Sequence, residues 1–199
     1  RNQKIYEEVD LDACREIHVP VTRRPTGGGA VFHDRDNEVT YSVVLKDSGV
    51  LRARDVLASY RLIGEGLISG LRCLGVSATF DASNSRQCPN LRVDGRKISG
   101  NAQARMQDTV LQHGTILLRV NYQTMSRLLR MPWVLDRENL PRLARMRITS
   151  LSQETGRSLN PTQVCDAIAR GFEQALDMSL KKGELTELEL KTAKRLCSE

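Results

Sequence analysis

Two glycine-bearing segments of this chain combine backbone that can approach a ligand closely with fixed positive charge. The first reads RRPTGGGAVFHD at residues 23–34, and the second reads DGRKISGNAQ at residues 94–103. Glycine has no Cβ and exposes its N–H groups, while the neighbouring arginine and lysine side chains supply positive charge. This combination suits a small anionic ligand, such as a carboxylate, a phosphate or an acid joined to a nucleotide.

Lys97 is the residue in these segments best suited to chemistry on anions. It follows the Asp94-Gly95 turn on a predicted strand, and its ammonium is a compact donor that can address two anionic groups together. Taken alone, Lys97 is more simply an exposed strand lysine, and the glycines at 27–29 are a plain tight turn. The chain has neither a G-x-x-x-x-G-K-[ST] phosphate loop nor a G-x-G-x-x-G motif that opens a helix.

Hydrophobic periodicity predicts the elements that position these segments. Strands dominate the first two thirds of the chain and helices the last third, which is typical of an α+β protein. Residues 80–90 are predicted to form a polar loop, and Asn160-Pro161 with Gln163 has the pattern of a helix capping box. The predicted strands are 21–23, 30–32, 39–45, 91–93, 97–99 and 110–118, and the predicted helices are 5–17, 53–74, 160–176 and 186–196.

Length and hydropathy indicate one domain that spans residues 1–199 and includes the carboxy-terminal helices at 160–197. No apolar run is long enough to cross a bilayer, and no signal peptide opens the chain, so no membrane partner is expected. The polar opening at residues 1–3 is compatible with a missing upstream segment. The net charge of +6 permits nucleic acid, but only 4% of the residues are aromatic, so no nucleic-acid partner is expected, and an acidic protein partner explains the same charge equally well.

Cysteine usage indicates the reducing cytoplasm. The five cysteines are scattered, odd in number and without a C-x-x-C pair, which argues against a zinc site and a disulfide framework. Two of those that fall inside helical patterns are predicted to be buried. The cysteines are Cys14, Cys73, Cys88, Cys165 and Cys197, and the two predicted to be buried are Cys73 and Cys165.

Both glycine segments, together with HGT at residues 113–115, resemble the motifs of the lipoate–protein ligase family, within the biotin/lipoate ligase superfamily. The resemblance extends over nearly the whole chain. It implies a mixed β-sheet flanked by helices, a fold shared with class II aminoacyl-tRNA synthetases. It also implies a reaction with lipoate and ATP that forms lipoyl-AMP and pyrophosphate, followed by transfer of the lipoyl group to a lysine of an acceptor protein.

The resemblance assigns roles to residues of both segments. Lys97 would be catalytic, because an ammonium that reaches the lipoate carboxylate and the ATP α-phosphate offsets their repulsion. Arg24 either contacts the ligand or anchors the glycine loop, and His33 and Asn37 resemble positions near the adenylate phosphate and ribose. The implied lipoate and lipoyl-AMP site comprises Arg24, Gly27, Gly28, Gly29, His33, Asn37, Ser99, Gly100, Ala102, His113, Gly114 and Thr115.

The resemblance also implies magnesium, partners and an open mechanistic question. Mg²⁺ would sit on phosphate oxygens and water, so no protein metal ligands are expected. The acceptor would be a lipoyl domain or a glycine-cleavage H-like protein, and a basic rim of Arg52, Arg54, Arg86 and Arg105 would steer it. No residue is an obvious base for the acceptor's lysine. Many relatives carry an accessory domain for which this chain has no room, so either a separate subunit supplies it or the reaction needs no ATP.

A sister family, the octanoyltransferases, offers an alternative function. These enzymes take an octanoyl group from acyl carrier protein through a cysteine thioester, and they share TYSV at 40–43 and QHG at 112–114 with this chain. Gly29 completes a triple glycine, as in ligases, and Thr79 stands where the transferase cysteine is expected. Cys88 is then the candidate nucleophile, with its pKa lowered by Lys97. The choice between lipoate and octanoate stays open at this point.

A third alternative is a non-catalytic lipoyl-binding subunit. Lys97, the glycine loop and Asn37 argue against it, because a protein that only binds lipoate does not need the residues that would contact the phosphate of an adenylate.

Overall fold

The fold is built on one five-stranded sheet. The computed structural model describes residues 3–46, 56–81, 89–130 and 138–197. The strands lie in the order β1-β5-β4-β3-β2, and all of their pairings are antiparallel. An isolated parallel bridge joins Lys97 to Ile148. The strands are β1 Glu38–Lys46, β2 Thr79–Asp81, β3 Asn90–Val93, β4 Arg96–Met106 and β5 Thr109–Leu117.

Helices flank this sheet, which confirms the expected α+β class. The predicted capping box is present, because the Asn160 side chain accepts from Gln163 N and the Gln163 side chain accepts from Asn160 N. Within the described residues, no helix combines the length and hydropathy needed to cross a membrane. The helices are α1 Ile5–Glu8, α2 Leu11–Glu16, α3 Val56–Cys73, α4 Tyr122–Leu128, α5 Leu140–Arg147, α6 Leu151–Thr155, α7 Pro161–Leu176 and α8 Glu187–Cys197.

The hydrophobic core lies between one face of the sheet and the pair α3 and α7. Glycines let these two helices approach each other closely, since a Cβ on Gly171 would stand 2.2 Å from Gly70 N and 2.4 Å from Gly66 O. The opposite face of the sheet is thereby left for other contacts. The core residues include Val39, Ile116, Ile63, Leu67, Leu71, Val164, Ile168 and Phe172.

Three sequence predictions of local structure were wrong. The helix predicted at 5–17 is divided into α1 and α2, because the Asp10 side chain accepts from Ala13 N and caps a new helix. Residues 21–23 and 30–32 are irregular rather than strands. Phe80 and Asp81 belong to β2 rather than to a loop.

The cysteine predictions were also wrong in part. Cys73 and Cys165 are exposed, although they lie within α3 and α7, whereas Cys14 is buried. The candidate nucleophile Cys88 and three members of the expected basic rim, Arg52, Arg54 and Arg86, lie outside the described residues.

Candidate active site

A β-bulge directs the Lys97 side chain. Leu91 pairs with Ser99 and Arg92 pairs with Lys97, which leaves Ile98 as an extra residue in β4. In a regular strand, residues 97 and 100 would face opposite sides, and the bulge brings them to the same side. Lys97 Nζ lies only 2.7 Å from the point where a Cβ on Gly100 would stand. Glycine at position 100 therefore leaves room for the lysine.

Four predicted site residues share the face of the sheet opposite α3. Gly100 pairs with Thr115, and Ala102 pairs with His113, so these positions line up across β4 and β5. Lys97 lies over the same face, since its side chain crosses Gly100. The structure thus brings five of the predicted residues together on one surface.

Ser99 and Gly114 face the other side of the sheet. Ser99 is fully buried, and a Cβ on Gly114 would stand 2.3 Å from Gly100 O and 2.9 Å from Tyr41 Cε1. Because Tyr41 packs against the hydrophobic core, Gly114 points toward that core. The structure therefore separates these two residues from the surface that carries Lys97, and glycine at 114 serves close packing.

The glycine loop is joined to this surface through His113. Thr26 Oγ1 and His113 Nε2 lie 2.6 Å apart, and Thr26 is only 1% exposed. Thr26 was not among the predicted site residues, since a threonine within a loop carries no pattern of its own. The bond places residues 24–29 beside the open face of β5.

Side chains hold the shape of the loop. One Arg24 nitrogen, Nη2, donates to Gly27 O at 2.7 Å and to Gly29 O at 2.8 Å. Glu8 Oε2, from α1, accepts from Ala30 N at 2.8 Å. Gly28 has φ +91°, a conformation that glycine adopts without strain. Of the two roles considered for Arg24, these contacts support anchoring of the loop.

His33 and Asn37 occupy the chain between the loop and β1. His33 Nδ1 is hydrogen-bonded to Glu38 Oε1, and Glu38 is only 8% exposed. Asn37 Nδ2 donates to Asp34 Oδ2, and Asn37 Oδ1 accepts from Arg119 Nε, each at 2.9 Å. Glu38 was missed by the sequence reasoning, although an acid that begins a hydrophobic strand was a usable signal.

The pKa values of the two imidazoles, His33 and His113, are shifted in opposite directions. The hydrogen bond to Glu38 raises the pKa of His33 above its ordinary value, against the opposing effects of burial and Arg24. Burial lowers the pKa of His113, and the positive charges of Arg24 and His33 lower it further. His33 is thus the more basic of the two, and both lie within the electrostatic influence of Arg24.

A polar network lies beneath the site, on the α3 side of the sheet. Tyr41 Oη donates to Asn101 Oδ1 and accepts from Gln112 Nε2. The other amide atom of Gln112, Oε1, accepts from Gln103 Nε2 at 2.7 Å. Burial raises the pKa of Tyr41, so its hydroxyl stays protonated. Asn101 Nδ2 donates to Pro89 O at 3.0 Å and thus ties the start of β3 to β4.

Arg105 belongs to this network and not to a basic rim. Its Nη2 donates to Ser59 Oγ of α3 at 2.8 Å, and Ser59 Oγ also contacts Gln103 Oε1. The expected rim is therefore wrong at Arg105, because alternation along β4 turns this side chain toward α3. Across the described ranges, no group of three or more His, Cys, Asp and Glu residues could hold a metal ion.

Comparison with known proteins identifies the family. The model of the lipoyl protein ligase A/B catalytic domain matches residues 1–173. The chain belongs to this family. The octanoyltransferase LipM of Symbiobacterium thermophilum is 38% identical over 211 residues, which cover 98% of this chain and 76% of that relative.

Solved structures of lipoate protein ligases agree with this assignment. A bi-partite lipoate protein ligase from Thermoplasma acidophilum, studied with its E2 lipoyl domain, is 27% identical with a TM-score of 0.85 and covers 99% of this chain and 73% of its own. A lipoate-protein ligase A bound with ATP is 26% identical with a TM-score of 0.83, over 99% of this chain and 75% of its own. The predicted family and fold are confirmed, and the protein is an enzyme of the lipoate and octanoyl transfer family.

Proposed function

We propose that this protein transfers an octanoyl group from acyl carrier protein to a lysine of an acceptor protein. The observation that carries the proposal is the 38% identity to an octanoyltransferase LipM across 98% of the chain. The acceptor would be a lipoyl domain or a glycine-cleavage H-like protein, and the E2 lipoyl domain studied with the Thermoplasma ligase supports the first. This proposal replaces the ATP-dependent ligase as the leading function. The cysteine usage makes the reducing cytoplasm the expected compartment.

The proposed reaction has two acyl transfers. A cysteine thiolate attacks the octanoyl thioester, the new C–S bond forms, and the carrier's thiolate leaves and is protonated. The acceptor's amine then attacks, so that a C–N bond forms and the enzyme's C–S bond breaks. Each attack develops negative charge on the acyl oxygen, which the Lys97 ammonium would stabilise from its position over Gly100.

Cys88 is the proposed nucleophile. It immediately precedes Pro89, whose carbonyl is bonded to Asn101 on β4, and Asn90 pairs with Gly100. The chain that follows Cys88 is therefore attached beside the glycine that Lys97 crosses. A nearby ammonium favours the thiolate form of a cysteine.

The ATP-dependent ligase remains a second candidate because of Thr79. This residue stands where a transferase cysteine is expected, and its exposed side chain on β2 carries a hydroxyl, which is a much weaker nucleophile than a thiolate unless a base activates it. The similarity to a lipoate-protein ligase A bound with ATP supports the same candidate. In that reaction Lys97 would contact the lipoate carboxylate and the α-phosphate. Among the described residues, no group of three or more candidate ligands could hold a magnesium ion.

The donor requirement separates the two candidates. An apo acceptor domain would be incubated with the protein and either octanoyl-acyl carrier protein or lipoate with Mg-ATP, and its intact mass measured. We expect modification from the carrier without ATP, together with an octanoyl-enzyme that Cys88→Ser abolishes and Cys73→Ser leaves intact, since Cys73 is an exposed thiol on α3.

The other outcomes of this assay are equally informative. Modification that requires ATP, accompanied by lipoate-driven ATP–pyrophosphate exchange, would establish the ligase. Lipoate binding with neither reaction would favour the non-catalytic binding subunit. A reaction that appears only on addition of a second protein would point to a separate accessory subunit.

A further inference from the structure

The transfer to the acceptor requires a proton acceptor that the mechanism above does not supply. A lysine side chain has an ordinary pKa of about 10.4, so the acceptor arrives mainly as an ammonium and must lose protons to form an amide. In the role proposed above, Lys97 stays charged and stabilises the acyl oxygen, so the mechanism names no base for these protons. A base must therefore lie where an incoming lysine can reach it.

We propose that His33 accepts this proton and that Glu38 is the positioning residue that holds its imidazole. The inference rests on the acyl transfer proposed above, and it applies to a thioester donor and to an acyl-adenylate donor alike.

The geometry of the pair fixes the imidazole. With Glu38 Oε1 as the acceptor of its bond to His33 Nδ1, the proton of the neutral imidazole lies on Nδ1, because a carboxylate oxygen accepts hydrogen bonds. The neutral ring then has its lone pair on Nε2. The His33 side chain is 57% exposed while that of Glu38 is 5% exposed. The exposed imidazole of His33 can therefore be reached by another protein, while the buried carboxylate of Glu38 holds it in place.

The burial of Glu38 indicates a function beyond folding. Its second oxygen, Oε2, is buried and meets no donor among the residues that the structure describes. An unsatisfied buried polar group costs stability. Glu38 is nevertheless held in place, because it begins β1 and pairs with Leu117. The buried Glu38 carboxylate therefore lowers the stability of the fold, and among the described residues its side-chain hydrogen bond is to the imidazole of His33.

The surrounding charges make His33 a better base than His113. Glu38 raises the pKa of His33, whereas Arg24, the other charged group acting on it, lowers it. His113 has a lowered pKa, and its Nε2 is already engaged with Thr26. A base is most effective when its pKa lies close to the working pH, which favours the histidine with the raised value.

The acceptor nitrogen forms a C–N bond while the bond from the acyl carbon to the donor atom breaks. The ammonium loses two protons in all, of which His33 Nε2 takes one and the departing thiolate takes the other as it becomes a thiol. His33 then returns its proton to water. With an adenylate donor, the departing phosphate and water take the second proton.

The first test is the titration of His33, followed by NMR of the imidazole resonances, with His33→Gln to assign the signal. We expect Glu38→Gln to lower the pKa of His33 and Glu38→Asp to restore most of it. The matched control is Glu173→Gln, which makes the same acid-to-amide change on α7, where Glu173 accepts from Leu180 N. An unchanged His33 titration in Glu38→Gln would overturn the pairing.

The second test separates the two half-reactions in single turnovers across pH. We expect Glu38→Gln to slow transfer from the acylated enzyme to the acceptor by about 10-fold to 100-fold, less than the ~100-fold to 10,000-fold contribution of a general base, because the imidazole itself remains. Loading of the enzyme should be unchanged. The acid limb of the transfer profile should move to lower pH, because the base is active when deprotonated and its pKa has fallen.

The outcomes distinguish this inference from the proposed function. Equal slowing of both half-reactions, or an unmoved pH profile, would overturn the role of the pair while leaving acyl transfer intact. A wild-type protein that forms no acyl intermediate from any donor would overturn the proposed function and the proton transfer together, and the titration would still report on the pairing.

Discussion

The direction of the Lys97 side chain depends on one extra residue in β4. Ile98 has no partner in β3, and this bulge turns Lys97 toward the face that carries Gly100. Strand alternation alone would have separated positions 97 and 100. The catalytic role of Lys97 stays a prediction from its motif. The direction of its side chain could not be predicted from sequence, since a bulge depends on pairing with a strand elsewhere in the chain.

Gly100→Ala tests this arrangement without altering the lysine. The added Cβ would stand 2.7 Å from Lys97 Nζ and 2.8 Å from its Cε, and the flexible side chain would move away. We expect kcat/KM for acyl transfer to fall about 10-fold to 100-fold, somewhat less than the ~100-fold to 1,000-fold expected for Lys97→Ala, with little loss of stability. Steady-state kinetics and thermal unfolding would measure both effects.

Gly183→Ala is the control for this substitution, because nothing lies within 4 Å of its added Cβ. Full activity in Gly100→Ala would mean that the chemistry does not depend on this position of the lysine.

Regular elements were predictable where their own residues determine them. The capping box of α7 and the Asp94-Gly95 hairpin are local patterns, and both residues of that turn have positive φ as expected. Residues 21–23 and 30–32 have strand-like composition, yet they are irregular. The backbone of the glycine loop makes its hydrogen bonds with the side chains of Glu8 and Arg24. The sequence shows no sign that these side-chain bonds would take the place of backbone bonds to a neighbouring strand.

The close crossing of α3 and α7 depends on glycine at position 171. A Cβ on Gly171 would stand 2.2 Å from Gly70 N, and backbone cannot move aside as a side chain can. We expect Gly171→Ala to lower the free energy of unfolding by about 3 kcal/mol, the upper part of the usual range for overpacking. Denaturant unfolding would measure it, with Gly183→Ala as control. A loss below about 0.5 kcal/mol, typical of surface changes, would contradict the close crossing.

Charge is the property of the whole molecule most relevant to its partner. The chain carries a net charge of +6, and its sequence pI is about 9.3. Of the four arginines expected to form a basic rim, Arg105 contacts Ser59 on the α3 side of the sheet, and the other three lie outside the described residues. Attraction of an acidic acceptor is therefore expected from the overall positive charge of the chain.

This attraction predicts salt-dependent kinetics for the acceptor. Raising the ionic strength from about 0.01 M to about 0.15 M shortens the Debye length from about 30 Å to about 8 Å, which weakens long-range steering. We expect kcat/KM for an acidic acceptor domain to fall about 10-fold over this range, mainly through slower association. An acceptor variant with its acidic surface residues replaced by amides is the matched control, and its kinetics should vary little. Equal salt dependence for both acceptors would place the effect within the active site, and salt-independent kinetics for both would remove charge from the recognition step.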